Sequence, residues 1–210
     1  MKIGIIGAGN VGSVLARRLV EVGHDVSLAA SSPDSPKLKE AAAASGASAT
    51  SAAEAAASSD VVILAIPFAA LDAAMTDDVV AGLADKIVID STNPLAPNFM
   101  SLTAGFDTSA GEQVAARLPQ SRVVKAFSTV AAPNHGNPVL GGAKQMLPVA
   151  GDDEEAKKTV IDLGNQLGFD AMNAGPLVNA RYMEPMTEML VQLGYGQGMG
   201  TGIGFVLARA

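Results

Sequence analysis

Short apolar runs that do not alternate recur along the chain, at residues 2–6, 25–28, 61–65, 86–90, 122–126 and 146–150. A strand wetted on one face alternates apolar and polar residues, whereas a strand covered on both faces reads as continuous apolar sequence. These six are predicted as strands of a buried, mostly parallel sheet, with residues 47–50 as a weaker edge strand. Helical spacing fills the intervals. Residues 10–22 place Val11, Leu15, Leu19 and Val22 on one face and Arg17, Arg18 and Glu21 elsewhere. Residues 36–45, 51–58 and 111–118 are predicted as shorter helices. Residues 152–167 open on Asp152, Asp153, Glu154 and Glu155, acids that suit the positive end of a helix better than a metal site. Strand alternating with helix predicts an α/β fold: a Rossmann-type, doubly wound, mostly parallel sheet with right-handed crossovers. Near Pro176 the character changes to Met- and Gly-rich sequence with no obvious strand. The expected division is a dinucleotide-binding domain over 1–175 and a helical C-terminal extension over 176–210.

Composition narrows the function. The net charge of −7 excludes a nucleic-acid partner, which would need a basic face. There is no Cys, hence no thiolate nucleophile and no Cys-ligated metal. No apolar stretch reaches the roughly 18 residues of a spanning helix. The N-terminal apolar run is too short for a signal peptide and enters a turn at once, so the expected compartment is the cytoplasm, with no membrane partner.

The first turn carries the chemistry. Gly7-Ala8-Gly9-Asn10-Val11-Gly12 is G-x-G-x-x-G between a buried strand and an amphipathic helix, the context in which that pattern binds a dinucleotide. Gly7 permits the turn, Gly9 leaves room for the pyrophosphate, and Gly12 lets helix and strand approach. The helix N-terminus adds free N–H groups and partial positive charge. About 20 residues on, where a carboxylate would hold the ribose of NAD, the chain reads Ala29-Ala30-Ser31-Ser32. With no acid to repel a 2′-phosphate and two hydroxyls to donate to it, NADP(H) is the expected cofactor. Lys37 and Lys39 can add positive charge, and Asp34 opposes it. Three more loops qualify at strand ends, where such sheets bind ligands: Ile66-Pro67-Phe68 after the fourth strand, Asp90-Ser91-Thr92-Asn93-Pro94-Leu95 after the fifth, and Lys125-Ala126-Phe127-Ser128-Thr129-Val130 spanning the sixth and its exit.

These pieces resemble the NADP oxidoreductases that depend on the deazaflavin coenzyme F420. The resemblance rests on "IGIIGAGNVGSVLARRLVEVGHDV", "VVILAIPF", "DSTNPL", "VVKAFSTV", "VAGDD", "AGPLVNARYMEP" and "GMGTGIGF", and the last two are its most specific parts. It implies cofactor contacts from Ala8, Gly9, Asn10 and Val11, and from Ser31 and Ser32. It also implies a nicotinamide path beside Ile66-Pro67 and Asn93-Pro94 and against Ala132, and coenzyme F420 as a possible substrate. Residues 176–210 would complete the substrate pocket and meet a second subunit, giving a homodimer. Two positions depart from the family pattern: relatives often read Ser-Arg where this chain has Ala30-Ser31 or Ser31-Ser32, and can carry His at Ser128.

No acid–base constellation stands out among the side chains. His24 lies in a turn at the wrong end of the sheet and is expected to be structural. His135, in "APNHGNP", is expected to be a surface loop residue, and Lys125 to be solvated or salt-bridged. Tyr182, Asn179 and Arg181 are read as helix-interface residues, and the alternating glycines from Gly194 to Gly204 as close backbone packing. The leading function is NADPH-dependent hydride transfer to a small planar acceptor, with no catalytic side chain assigned. A carbonyl or imine reductase and a non-catalytic dinucleotide sensor remain alternatives.

Overall fold

A computed structural model of the protein describes residues 1–209. Its main sheet has eight strands in the order β10-β9-β6-β5-β4-β1-β2-β3. These are β1 (Lys2–Ile6), β2 (Asp25–Ala29), β3 (Ser48–Thr50), β4 (Val61–Leu64), β5 (Ile87–Asp90), β6 (Arg122–Lys125), β9 (Met146–Gly151) and β10 (Asp170–Asn173); β7 (Val139–Leu140) and β8 (Ala143–Lys144) form a separate hairpin. All pairings in the main sheet are parallel except β6 with β9. The helices are α1 (Asn10–Glu21), α2 (Pro36–Ser45), α3 (Ala52–Ser58), α4 (Leu71–Ala74), α5 (Asp77–Gly82), α6 (Ala110–Arg117), α7 (Glu154–Gln166) and α8 (Ala180–Val191). The fold is α/β and Rossmann-like, as the alternation of runs predicts.

Strands β4 and β5 are buried at every residue, which is why they carry no polar alternation. One core cluster packs α1 and α7 on one face through Leu15, Leu19, Val160 and Leu163. A second covers the other face with Val79, Leu83, Val114 and Leu177. Capping sets the helix starts: Ser51 accepts from Glu54 N, Ser109 from Glu112 N, and Asp153 from Ala156 N. Asp153 is therefore the cap of α7 and Glu154 and Glu155 form its first turn, but Asp152 lies before it and accepts from Leu177 N (2.9 Å).

The structure also departs from expectation at the C-terminus. A 3₁₀ turn (Leu177–Asn179), α8 and a π-turn (Gln192–Gly196) are helical, but residues 197–209 contain no helix. Gly198 and Gly200 adopt φ +70° and +75°, in the left-handed region that glycine accepts. The tail instead crosses the carboxyl ends of the strands, and Met146 N donates to Phe205 O (2.9 Å). No helix among the described residues is long and apolar enough to cross a membrane.

Candidate active site

Register places the site. Ala29 pairs with Ile6, Ile6 with Leu64, Leu64 with Asp90 and Asp90 with Lys125, so the carboxyl ends of five parallel strands form one row. The loops singled out from the sequence leave from this row.

At its centre, Gly7 has φ +123°, and a Cβ there would overlap the Ala65 carbonyl and stand 3.1 Å from Ile66 Cγ2. A Cβ at Gly12 would overlap the Gly7 carbonyl oxygen. Gly9 is different: an added Cβ meets nothing within 4 Å, and the residue caps α1 with no side-chain bond to the helix N–H groups. The turn is thus closed beneath and open above, where the first N–H groups of α1 face outward. Gly7 N donates to Ala29 O (2.8 Å), which brings the second strand's exit beside the glycine turn. Ser31 and Ser32 there are exposed, as is Lys37. Lys39 pairs with Asp34 at 3.2 Å, so the loop's one acid already has a cation beside it.

Further along the row a pocket of about 180 Å³ opens, lined among others by Val11, Asn93, Ser128, Ala132, Thr187 and Tyr195. Two residues expected along the nicotinamide path, Asn93 and Ala132, therefore meet in one cavity with Val11 from the glycine turn. Ile66 stays near the glycine turn and Pro67 is exposed, while Pro94 is buried; none of the three lines the pocket. Asn93 Nδ2 (3.1 Å) and Thr187 Oγ1 (3.0 Å) both donate to Ser128 O. Asn93 Oδ1 and Ser128 Oγ are buried with no partner in the protein. Buried polar atoms are rarely left so; here both belong to residues that line the pocket. Asn134 Nδ2 donates to Thr201 O and Ile203 O, each at 2.9 Å, and so fixes the tail as a roof. Only some of the glycines of this segment pack closely: a Cβ at Gly194 or Gly204 would press on Gly200 O or Gln145, whereas one at Gly198, Gly200 or Gly202 would meet nothing within 4 Å; Gly200 N donates to Gly194 O (2.9 Å).

His135 is not on the surface. It is wholly buried, in an aromatic cluster with Phe127 and Phe169, and its two ring nitrogens face the carbonyls of Phe127 (3.1 Å) and Ala132 (3.2 Å). Burial holds its pKa below the ordinary histidine value, although those carbonyls favour the proton. Its contact braces Phe127, a non-glycine residue at φ +63° that lines the pocket. His24 pairs with Gln166 at the far end of the sheet (2.9 Å), away from the site.

Lys125 is salt-bridged, and it is also fully buried. Its Nζ lies 2.8 Å from Asp90 Oδ2 and 2.8 Å from Glu184 Oε1, and donates to Thr92 O at 2.6 Å. Burial alone would push the Lys125 pKa down; the two carboxylates hold it above the ordinary lysine value. Of the other C-terminal residues read as helix-interface groups, Arg181 and Asn179 make such contacts and Tyr182 makes none within the described residues. Arg181 makes a two-pronged bond to Glu112 (2.9 and 2.7 Å), which lowers the Glu112 carboxyl, and Asn179 Nδ2 donates to Ala174 O. Tyr182 is exposed.

The family model for "NADP oxidoreductase coenzyme F420-dependent" matches residues 2–94. The F420-dependent NADP reductase of Methanocaldococcus jannaschii is 36% identical over 153 residues, covering 69% of this chain and 66% of the relative. Rat metalloreductase STEAP3 is 31% identical over 196 residues, 90% of this chain, and the chain spans only 37% of that relative's length. The crystal structure of a proposed F420-dependent NADP reductase from Arthrobacter superposes with a TM-score of 0.91 over 100% of both chains, at 28% identity. An imine reductase from Myxococcus stipitatus in complex with NADP+ shares the fold, at TM-score 0.68 and 18% identity, over 94% of this chain and 63% of its own. Glycine turn, strand-end row and relatives agree: the chain belongs to the coenzyme F420-dependent family of NADP oxidoreductases.

Proposed function

We propose that the protein transfers a hydride between NADP(H) and a planar ring acceptor of the coenzyme F420 type, in the cytoplasm and as a homodimer. The observation that carries this is the pocket lining: among its described residues only Tyr195, itself 70% exposed, has a titratable side chain. A carbonyl or imine acceptor develops charge on one atom and calls for an acid or a fixed donor there. Transfer between two stacked rings depends on alignment and exclusion of water, which apolar walls and a roof supply.

The residues fit the cofactor. The open space above Gly9 and the outward N–H groups of α1 suit a pyrophosphate. Ser31, Ser32 and Lys37 suit a 2′-phosphate. Asn93 Oδ1 can accept from a carboxamide NH₂, and Ser128 Oγ can donate to its carbonyl, which would give both orphaned atoms partners. Bound NADPH would supply the hydride; the chain would orient the ring and shield the transfer from bulk water, and the proton that completes reduction of the acceptor ring would come from solvent. Residues 1–175 hold the dinucleotide in this reading, and residues 176–210 roof the acceptor. Tyr182, Met186 and Met189 recur at helical spacing along α8, with Tyr182 72% and Met189 54% exposed. An apolar stripe of this kind suits a second copy of the chain, and sedimentation velocity reads that directly.

The test is loss of NADPH absorbance with an acceptor panel of coenzyme F420, flavins, ketones and imines. Turnover is expected with the deazaflavin; turnover confined to ketones or imines would overturn the reading. Ser31→Asp is expected to lower NADP affinity at least about tenfold more than NAD affinity, the equivalent of ~1.4 kcal/mol. Equal losses, measured by titration of both nucleotides, would place the 2′-phosphate elsewhere.

A further inference from the structure

Lys125, Asp90 and Glu184 are buried to within 1% of completely, yet none of them lines the pocket. One cation lies between two carboxylates, and the second carboxylate also accepts from the N–H groups of Ala110 (2.9 Å) and Gly111 (3.1 Å) at the start of α6. Such a cluster is a poor device for stability, because apolar residues of similar shape often hold a core as well or better. What it does well is fix geometry.

Its connections lead to the pocket. Asp90 Oδ1 accepts from Thr92 N (2.9 Å) and Lys125 Nζ donates to Thr92 O, so both backbone groups of Thr92 are held. The next residue is Asn93. Glu184 lies on α8 one turn before Thr187, which donates to Ser128 O, the same carbonyl that Asn93 Nδ2 engages. The triad therefore ties together the β5 exit, the β6 end and α8, the three elements that deliver Asn93, Ser128 and the C-terminal wall. A Cβ at Gly111 would stand 3.1 Å from Ala180 Cβ and 3.4 Å from Lys125 Cδ, so α6 also leaves little slack around it.

We propose that Glu184, through Lys125 and Asp90, is a positioning residue that sets Asn93 and Ser128 for the nicotinamide ring. This rests on the NADP(H) reading above. The triad touches neither the glycine turn nor Ser31 and Ser32, so it governs the ring end of the cofactor and not the phosphate end.

The experiment is the charge-neutral triple variant Asp90→Asn, Lys125→Met, Glu184→Gln in the full chain, with bound NADPH read by titration, by its own nicotinamide fluorescence and by turnover. The expected result is a folded protein with NADPH affinity within about threefold of wild type. Nicotinamide fluorescence is expected to shift toward that of the mobile ring, and kcat to fall at least about tenfold. A folded triple variant with wild-type fluorescence and kcat would overturn the proposal and reduce the triad to a structural role. Thr187→Val keeps the side chain's shape and removes the bond from α8 to Ser128 O, together with a longer bond to Met183 O within the helix. Because Thr187 also lines the pocket, its effect is read on the fluorescence of the ring: the same signature is expected in smaller measure, and if the triple variant does not fold, wild-type fluorescence and kcat in Thr187→Val overturn the proposal. A wild-type protein that binds no NADPH would overturn the cofactor reading and this inference with it.

Discussion

Gly9→Val is expected to leave a folded protein that no longer holds NADP(H). Gly9 sits at φ −83° and ψ −167°, extended backbone that a β-branched residue adopts without strain. A Cβ there meets no protein atom within 4 Å, so the fold does not feel it. The same open space is where a pyrophosphate approaches the N–H groups of α1, and a valine side chain would occupy it. Charge-assisted hydrogen bonds are worth about 1.5–3 kcal/mol each. Losing two would weaken binding at least about a hundredfold, or ~2.7 kcal/mol. Calorimetry with NADPH, beside a thermal melt, checks both halves. Wild-type affinity in a variant that melts like wild type would remove the glycine turn from the cofactor site. The neighbouring glycines make the contrast: alanine at Gly7 or Gly12 would drive a methyl group into backbone carbonyls, so those substitutions should cost folding first.

The buried strands were legible because runs such as Val61–Leu64 have no polar alternation to lose, and the glycine turn was legible because strand and helix flank it. Strand β10 was not, since Asp-Ala-Met-Asn holds no β-branched residue and lies only half buried at the sheet edge. His135 was misplaced because "APNHGNP" carries every mark of an exposed loop, yet a 3₁₀ turn tucks the ring under the β6 exit. Glu184 escaped because its partners Asp90 and Lys125 are distant in sequence and its neighbours are mostly apolar or methionine. A signal was present nonetheless. Asp90 and Lys125 each end a run with no wet face, and two such charges must pair with each other or with something else buried. Their direct register, Asp90 opposite Lys125, meets that demand in part, and Glu184 completes it.

That completion makes Lys125→Met the substitution with the largest expected effect on stability. The methionine fills most of the lysine's space, but Asp90 and Glu184 are left buried with no cation between them. Thr92 O loses its donor as well. Removing one partner of a buried ion pair typically costs about 3–5 kcal/mol, because the remaining charge has neither water nor counterion. For a chain of this size that corresponds to a fall in melting temperature of roughly 6–20 °C. Adding Asp90→Asn and Glu184→Gln to the same chain removes the orphaned charges, and most of the lost stability is expected to return. The three effects are therefore strongly non-additive, as groups in one network are. Thermal melts of the single and triple variants decide the point. A Lys125→Met protein that melts within about 2 °C of wild type, less than ~1 kcal/mol at this size, would mean that the two carboxylates do not depend on the lysine. The buried network would then be misassigned. If instead the single variant is crippled and the triple restored, charge balance holds this corner of the fold, and whatever activity the triple variant still lacks measures what the triad contributes to placing Asn93 and Ser128.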